Sequence, residues 1–388
     1  MKLRSIVRWF WVHLLFLSGL IWWAKWRLRR RGAIVVLLLH RVLGDDDFEK
    51  TNAAPGMVVR QRTFKQLARY LVHRCQPVNL AAGDLGWDGN NDRKLRVAIT
   101  FDDGWIDNWT TAFPIAQTYD LPFTIFICPG LMGRSSPFWP ERVVALWRAA
   151  EKAKGGTRKI QAWMASSMNI QILSSEDRDA EETIDLLIES LKTFRPTERE
   201  RLLSQLAELA VAAGPAADPQ PADATFTWKD LERMDKAGVT FGSHTQTHQI
   251  LPTIARDLAQ AELVDSKQEI QHWLRKKCVL FAYPNGDWSP DVRDLVLQAG
   301  YKLAFTTQVG GWKRDCDSLL IPRVTVSEGM LVGLLGRFSR ATFEYAAFWK
   351  VYRAKGSSAQ DKGLIASSSA RDENSIPGRR NRMAAGVL

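Results

Sequence analysis

Two adjacent carboxylates, Asp102 and Asp103, close the run Thr100-Phe101-Asp102-Asp103-Gly104, directly after the apolar Val97-Ala98-Ile99. The C-terminal end of a strand is where α/β barrels assemble their sites, and Gly104 gives the chain freedom for a sharp exit turn. The same Asp-Asp-Gly also makes an ordinary turn or helix cap. A second group, Gly242-Ser243-His244-Thr245-Gln246-Thr247-His248, follows Val239-Thr240-Phe241 and holds two of the six histidines. Imidazoles at i and i+4 converge on one point if the chain turns helically there. Two of them with a carboxylate from elsewhere make a three-ligand metal site with an open fourth position, a pattern that activates water. A third group, Phe281-Ala282-Tyr283-Pro284-Asn285-Gly286, combines strong turn chemistry with backbone N–H groups and an aromatic wall that could rim a pocket.

Each group ends a short apolar run, and the elements that position them read from the same pattern. Strands are expected at 33–39, 97–101, 123–128, 239–242, 279–282, 302–306 and 319–326. Several are continuously apolar rather than alternating, as in a parallel sheet covered on both faces. Helical periodicity at 63–73, 110–119, 229–237, 257–276 and 290–299 lies between them. Strand–helix alternation predicts an α/β fold, as a barrel or an open sheet. Residues 131–225 break the rhythm with helical patterns near 140–154, 178–194 and 197–213 and a Pro/Ala-rich close, and are read as a helical insertion.

Taken in order, TFDDG, HTQTH and FAYPNG resemble the polysaccharide deacetylase family, carbohydrate esterase family 4, with its NodB-like homology domain. The resemblance spans about 33–327, and Leu38-Leu39-His40-Arg41-Val42 and Trp228-Lys229-Asp230-Leu231 agree with it. It implies a distorted, incompletely closed (β/α)7-type barrel. It also implies a metal-dependent hydrolase that removes N-acetyl groups from N-acetylglucosamine-type sugars of a polysaccharide or glycolipid. Asp102 would be the general base, and Asp103, His244 and His248 the ligands of a divalent metal, with zinc first and cobalt, nickel, manganese or iron as alternatives. The backbone N–H of Tyr283 would face the oxyanion, and Trp105, Tyr283 and Pro284 would line the substrate. Two family features depart. The arginine that the family carries ahead of the third motif has no clear counterpart, with Phe281 in that neighbourhood, so Arg323 is the candidate to orient the base. No histidine follows His272, so His40 is the candidate general acid. These departures leave open a catalytically silent membrane-associated glycan-binding subunit, and the basic residues flanking the N-terminal apolar stretch leave open a deacetylase or deformylase of a lipid-linked sugar.

The ends differ from the body. Residues 1–31 carry eight basic residues and no acid, and residues 351–388 carry seven bases against three acids, so of the net +11 only 11 − 8 − 4 = −1 falls on 32–350. A neutral body argues against nucleic acid as a partner, and a basic end suits anionic lipid. The apolar stretch 9–24, with Trp9, Trp11, Trp22, Trp23 and Trp26 toward its ends, is read as a single N-terminal membrane anchor or signal-like segment with its sidedness open. The domain of interest is then 32–350, and 351–388 is read as a disordered basic tail. Cys75, Cys128, Cys278 and Cys316 form no CxxC pair, which excludes a cysteine zinc cluster. No GxGxxG or GxxxxGK[ST] run supports a nucleotide enzyme.

Overall fold

A computed structural model of the chain describes residues 3–81, 85, 93–135, 138–153, 155–168, 180–211 and 221–354. Seven parallel strands form the frame: β1 (Ile34–Leu39), β2 (Arg96–Phe101), β3 (Thr124–Ile127), β4 (Thr240–Ser243), β5 (Leu280–Ala282), β6 (Leu303–Phe305) and β7 (Val324–Thr325). They lie in the order β7-β1-β2-β3-β4-β5-β6, with the short Gln76–Pro77 strand beside the start of β2. The sheet curls until its last segment touches both edges. Ala304 N donates to Ser318 O at 2.9 Å and Thr306 N to Ile321 O at 2.9 Å, while Val324 and Thr325 pair with Leu37 and Leu38. Residues 319–326, expected as one strand, keep a regular ladder only at Val324–Thr325. Pro322 stands in the middle and has no N–H to donate. The ring is therefore joined by one interrupted segment, in keeping with an incompletely closed barrel.

Side-chain alternation within the strands decides what faces the barrel axis. Ile34, Val36, Ala98, Phe126, Leu280, Ala282 and Phe305 pack together inside. Val35, Leu37, Leu39, Val97, Ile99 and Phe101 face the outer helices. Both faces are buried, which is why β1 reads as an unbroken apolar run and β2, with only Arg96 and Thr100 polar, is buried throughout. Gly242 belongs to the inner phase, and a Cβ there would meet the Phe126 ring at 2.6 Å. Continuing the same two-residue period beyond the last core layer brings His40, Asp102, His244 and Thr307 to the barrel mouth.

The insertion forms four helices, α3 (Trp139–Glu151), α4 (Gly156–Met168), α5 (Ala180–Lys192) and α6 (Pro196–Val211), around its own apolar core of Val143, Trp147, Ile160, Leu187 and Leu203. The helix at 156–168 has no counterpart in the sequence reading. The expected helix at 110–119 opens as a π-helical turn at Asn108–Ala112 before continuing over Phe113–Thr118. The base of the insertion is pinned to the first motif's loop, since Ile106 N donates to Ala224 O at 2.8 Å and Phe226 N to Gly104 O at 3.1 Å.

One buried charge network locks that base. Arg41, fully buried, donates to Asp107 Oδ2 at 2.9 Å, to Thr51 Oγ1 at 2.9 Å and to Asp223 Oδ1 at 2.6 Å, and lies 4.3 Å over the Trp105 ring. Asp223 ends the insertion, and Arg148 of α3 donates to Thr51 O. Burial still holds the Asp107 carboxyl above its ordinary range despite Arg41, so the network's clearest consequence is that removing one partner would leave an uncompensated buried charge.

The N-terminal apolar stretch is not one helix. Residues Leu3–Leu17 (α1) and Leu20–Arg30 (α2) form two helices, with Ile6–Leu17 bent by 62° from Leu20–Arg30 about Ser18-Gly19, where Gly19 takes φ 79°. No single helix among the described residues is long and apolar enough to cross a bilayer, and this bent pair passes that test only jointly. Ile21, Ala24 and Leu28 pack on the body, and Lys25 Nζ donates to Tyr70 Oη and Arg74 O, both at 2.9 Å. At the other end, Lys350–Arg353 is helical with Val351 buried, so the basic tail does not begin at 351. The rest of that tail, 355–388, lies outside the described residues.

Candidate active site and metal centre

Backbone strain is concentrated at the motifs. Among described non-glycine residues, positive φ occurs at Asp103 (78°), Thr245 (67°), His248 (61°) and Asn285 (59°), and otherwise only at Asp120 and Arg275. Such conformations cost about 1–3 kcal/mol each and persist where the surroundings impose them. At Asp103 the left-handed turn swings the second carboxylate away from the first. Gly286 shows the same pressure: φ is 77°, and a Cβ would meet Thr307 Oγ1 at 2.1 Å.

Asp103 Oδ1 lies 3.6 Å from His244 Nε2 and 3.4 Å from His248 Nε2. Among the described residues these three form the group whose donor atoms lie close enough to share one ion, all within 4.8 Å of one another. The donor set fits a cation. Asp103 Oδ1 is buried without a hydrogen-bond partner, while Trp105 Nε1 donates to Oδ2 at 3.0 Å. His244 Nδ1 lies 2.8 Å from Ala282 O, which leaves Nε2 with its lone pair. Burial first, and then the neighbouring imidazole, hold His244 at about 4 against the pull of Asp102 and Asp103. Burial likewise brings His248 to about 4. Both rings are neutral near pH 7, as ligation requires.

Asp102 stands in a different environment. Arg323 grips it with both arms, NH1 to Oδ1 and NH2 to Oδ2 at 2.7 Å each, in a fully buried pair. Burial pushes the Asp102 carboxyl up, but Arg323, followed by His244, outweighs it and holds the group at about 2. Arg323 is itself fixed by Thr306 O at 3.0 Å. The interrupted closing segment thus delivers the arginine that the third motif lacks. His40 lines the same cavity, with Nδ1 buried and unpartnered and its carbonyl accepting from Asn108 Nδ2 at 2.8 Å.

The structure differs from the sequence reading at three residues. The Tyr283 N–H is not available to an oxyanion, because it donates to Phe305 O at 3.0 Å in the β5–β6 ladder. Its ring is buried, with the hydroxyl bonded to Leu319 O at 3.0 Å, so Tyr283 is a core residue, and buried Pro284 likewise lies outside the cavity lining. Asn285, two residues on, is the part of this loop that lines the cavity, and its N–H makes no bond to a backbone carbonyl among the described residues. Trp105 also borders the cavity, but it is fully buried beneath Arg41 and against Phe138, so no ring surface is exposed for stacking on a sugar. Its N–H orients Asp103 instead. Trp105→Phe is accordingly expected to weaken metal affinity by about 10- to 100-fold in a competition titration with a chelating dye. Unchanged affinity would show that the Trp105 N–H has no part in orienting Asp103.

The cavity encloses about 460 Å³. Its floor is His40, Asp102, Asp103, His244, His248 and Asn285, and its roof is the insertion, through Trp139 and Glu141 of α3 and Ile188 and Lys192 of α5. Lys192 Nζ reaches Asn285 Oδ1 at 2.8 Å and ties roof to floor. Glu141 is the residue sequence reasoning missed: in Trp139-Pro140-Glu141 it reads as a routine acid in a helix's first turn. Here it is buried, and neither carboxylate oxygen has a partner. Burial and then the Asp103 carboxylate push it up to about 8.

The sequence profile described as polysaccharide deacetylase matches residues 89–162 and 194–304. The Bacillus subtilis (strain 168) protein YxkH, which carries a polysaccharide deacetylase name, is 27% identical over 113 residues, 29% of this chain. The match spans 40% of that relative's length. Among solved structures, the Streptococcus pyogenes deacetylase PplD in complex with acetate aligns with a TM-score of 0.48 and 19% identity, covering 77% of this chain and 94% of that one. IcaB from Ammonifex degensii aligns with a TM-score of 0.46 and 17% identity, covering 76% and 93%.

Proposed function

We propose that this chain, which belongs to the polysaccharide deacetylase family, removes the N-acetyl group of an N-acetylglucosamine-type sugar by metal-assisted hydrolysis of the amide. The observation that carries the reading is the pairing of two differently held carboxylates in one cavity. Asp103 points an unpartnered oxygen at two neutral imidazoles, and Asp102 is kept ionised by a bidentate arginine. Asp103, His244 and His248 would hold a divalent cation, zinc by preference, which when bound supplies Lewis acidity toward the amide carbonyl and acidifies the attacking water. Asp102 accepts the proton that the water gives up. The Asn285 N–H, in place of Tyr283, faces the carbonyl oxygen as it gains charge. His40 gives its proton to the amine as the C–N bond breaks and recovers one when Asp102 gives up the water's proton, so that one water adds across the bond and yields acetate and the amine in its ammonium form. The test is acetate release from N-acetylglucosamine oligomers by chelator-treated protein with and without added Zn²⁺. Metal-dependent release supports the reading, and release of a different acid would reassign the acyl group.

A further part of the same proposal concerns the membrane. Val12 and Leu15 of the first helix are buried, while Val7, Phe10, Trp11, Leu14 and Leu17 are exposed along its other face, joined by Trp22 of the second. A stripe of large apolar and aromatic residues beside the basic run Lys25 to Arg31 suits the interface of an anionic leaflet. On this reading the substrate is met at that surface, as a membrane-bound glycan or a lipid-linked sugar. Trp11→Asp combined with Leu14→Asp is expected to move most of the protein from pellet to supernatant in co-sedimentation with anionic phospholipid vesicles. Equal sedimentation of both forms would remove the lipid contact.

A further inference from the structure

An unpartnered carboxyl inside a protein needs a reason. Glu141 is 5% exposed, and both of its oxygens are buried without a hydrogen-bond partner. Burying a polar group without a partner is unfavourable by roughly 1–3 kcal/mol even on the protein scale, so sequences rarely keep one in an apolar helix face without use. It does not belong to the metal group, which among the described residues comprises Asp103, His244 and His248. It lines the same cavity as those ligands, from the insertion, and its neighbour in the same first turn is Trp139, a partly exposed ring that lines the cavity and carries Arg199 over it at 4.9 Å. A planar aromatic braced by a guanidinium, beside a carboxyl with free lone pairs, is a combination that suits a sugar. The ring packs against the C–H face and the carboxyl meets a hydroxyl or amide group.

We infer that the first turn of α3 is a sugar-recognition subsite, in which Glu141 hydrogen-bonds a hydroxyl or the amide N–H of the N-acylated sugar while Trp139 packs on its ring. The insertion is then more than a cover. It contributes the polar contact that decides which sugar sits over the metal ligands. Glu141 acts on the substrate's position and not on the proton transfers. The inference rests on the deacetylase reading above.

The test compares full-length, zinc-loaded wild type with Glu141→Gln and Glu141→Leu on N-acetylglucosamine oligomers. Glu141→Leu is expected to raise KM about 10- to 100-fold with kcat changed by less than about threefold. Glu141→Gln, which keeps a donor and an acceptor, should stay near wild type. The melting temperature of Glu141→Leu should equal or exceed that of wild type, because a desolvated, unpaired group has been removed. An unchanged KM with a lowered melting temperature would make Glu141 a structural residue, and a collapse of kcat at constant KM would make it a catalytic one. Either result overturns the inference. If wild type releases no acetate, the deacetylase reading fails first, and Trp fluorescence titration with the same oligomers decides the subsite. Weaker binding by Glu141→Leu supports it, while equal binding, or binding by neither protein, overturns it.

Discussion

Asp103→Asn is expected to abolish metal-dependent acetate release, lowering it at least about 10³-fold. Lewis-acid stabilisation of the developing charge contributes several kcal/mol, and each 1.36 kcal/mol is a factor of ten in rate. Asn is the informative substitution. Asp103 sits at φ 78°, a conformation that Asn accepts and Ala resists. The Asn side-chain oxygen can still accept from Trp105 Nε1, now 3.0 Å from Asp103 Oδ2. The variant therefore keeps its fold and its orientation and loses the charge alone. Zinc content after equilibrium dialysis should fall together with turnover. Full occupancy with full activity in the variant would remove Asp103 from the ligand set and, with it, the proposed metal-assisted route.

How much of this site was legible follows from what each residue's signal depends on. Asp102, Asp103, His244 and His248 end strands in short local motifs, and the two-residue period that fills the barrel with Val36, Ala98 and Phe305 also carries His40, Asp102 and His244 to the mouth. Local pattern was sufficient there. Arg323 is remote in sequence from Asp102, yet its place near the end of the last expected strand was enough to nominate it, because strand ends converge in a barrel. Tyr283 was misassigned because Tyr-Pro-Asn-Gly announces a turn without revealing which N–H the next strand consumes. That depends on the register of β5 with β6, where Leu280 faces Leu303. Trp105 was misread because a tryptophan after a catalytic motif looks like a sugar platform until Arg41 and Phe138 are known to sandwich it. Glu141 and Asp223 carry no local signal at all. Their roles arise from the docking of the insertion on the barrel, a tertiary event.

Asp102→Asn separates proton transfer from metal binding. Asp102 is no part of the three-residue metal group, so zinc content should remain that of wild type while kcat falls by about 10²–10⁴-fold, the usual contribution of a positioned general base. The complication is Arg323, whose guanidinium is fully buried against Asp102 with two 2.7 Å bonds. Neutralising one partner of such a pair leaves a buried charge and destabilises by roughly 3–5 kcal/mol. The sign with pH follows from the same contact. The folded Asp102 carboxyl is held at about 2, below its ordinary 3.8, so the pair's stabilisation is present above pH 3.8 and is lost as pH falls toward 2. At neutral pH it is fully present, and the variant loses it there. The double variant Asp102→Asn with Arg323→Met removes the orphaned charge and should recover much of the stability lost in urea unfolding without recovering turnover. Recovery of stability with activity still absent assigns Asp102 to chemistry. Recovery of both together would mean that the carboxylate only balances its arginine, and the base would then have to be sought at His40.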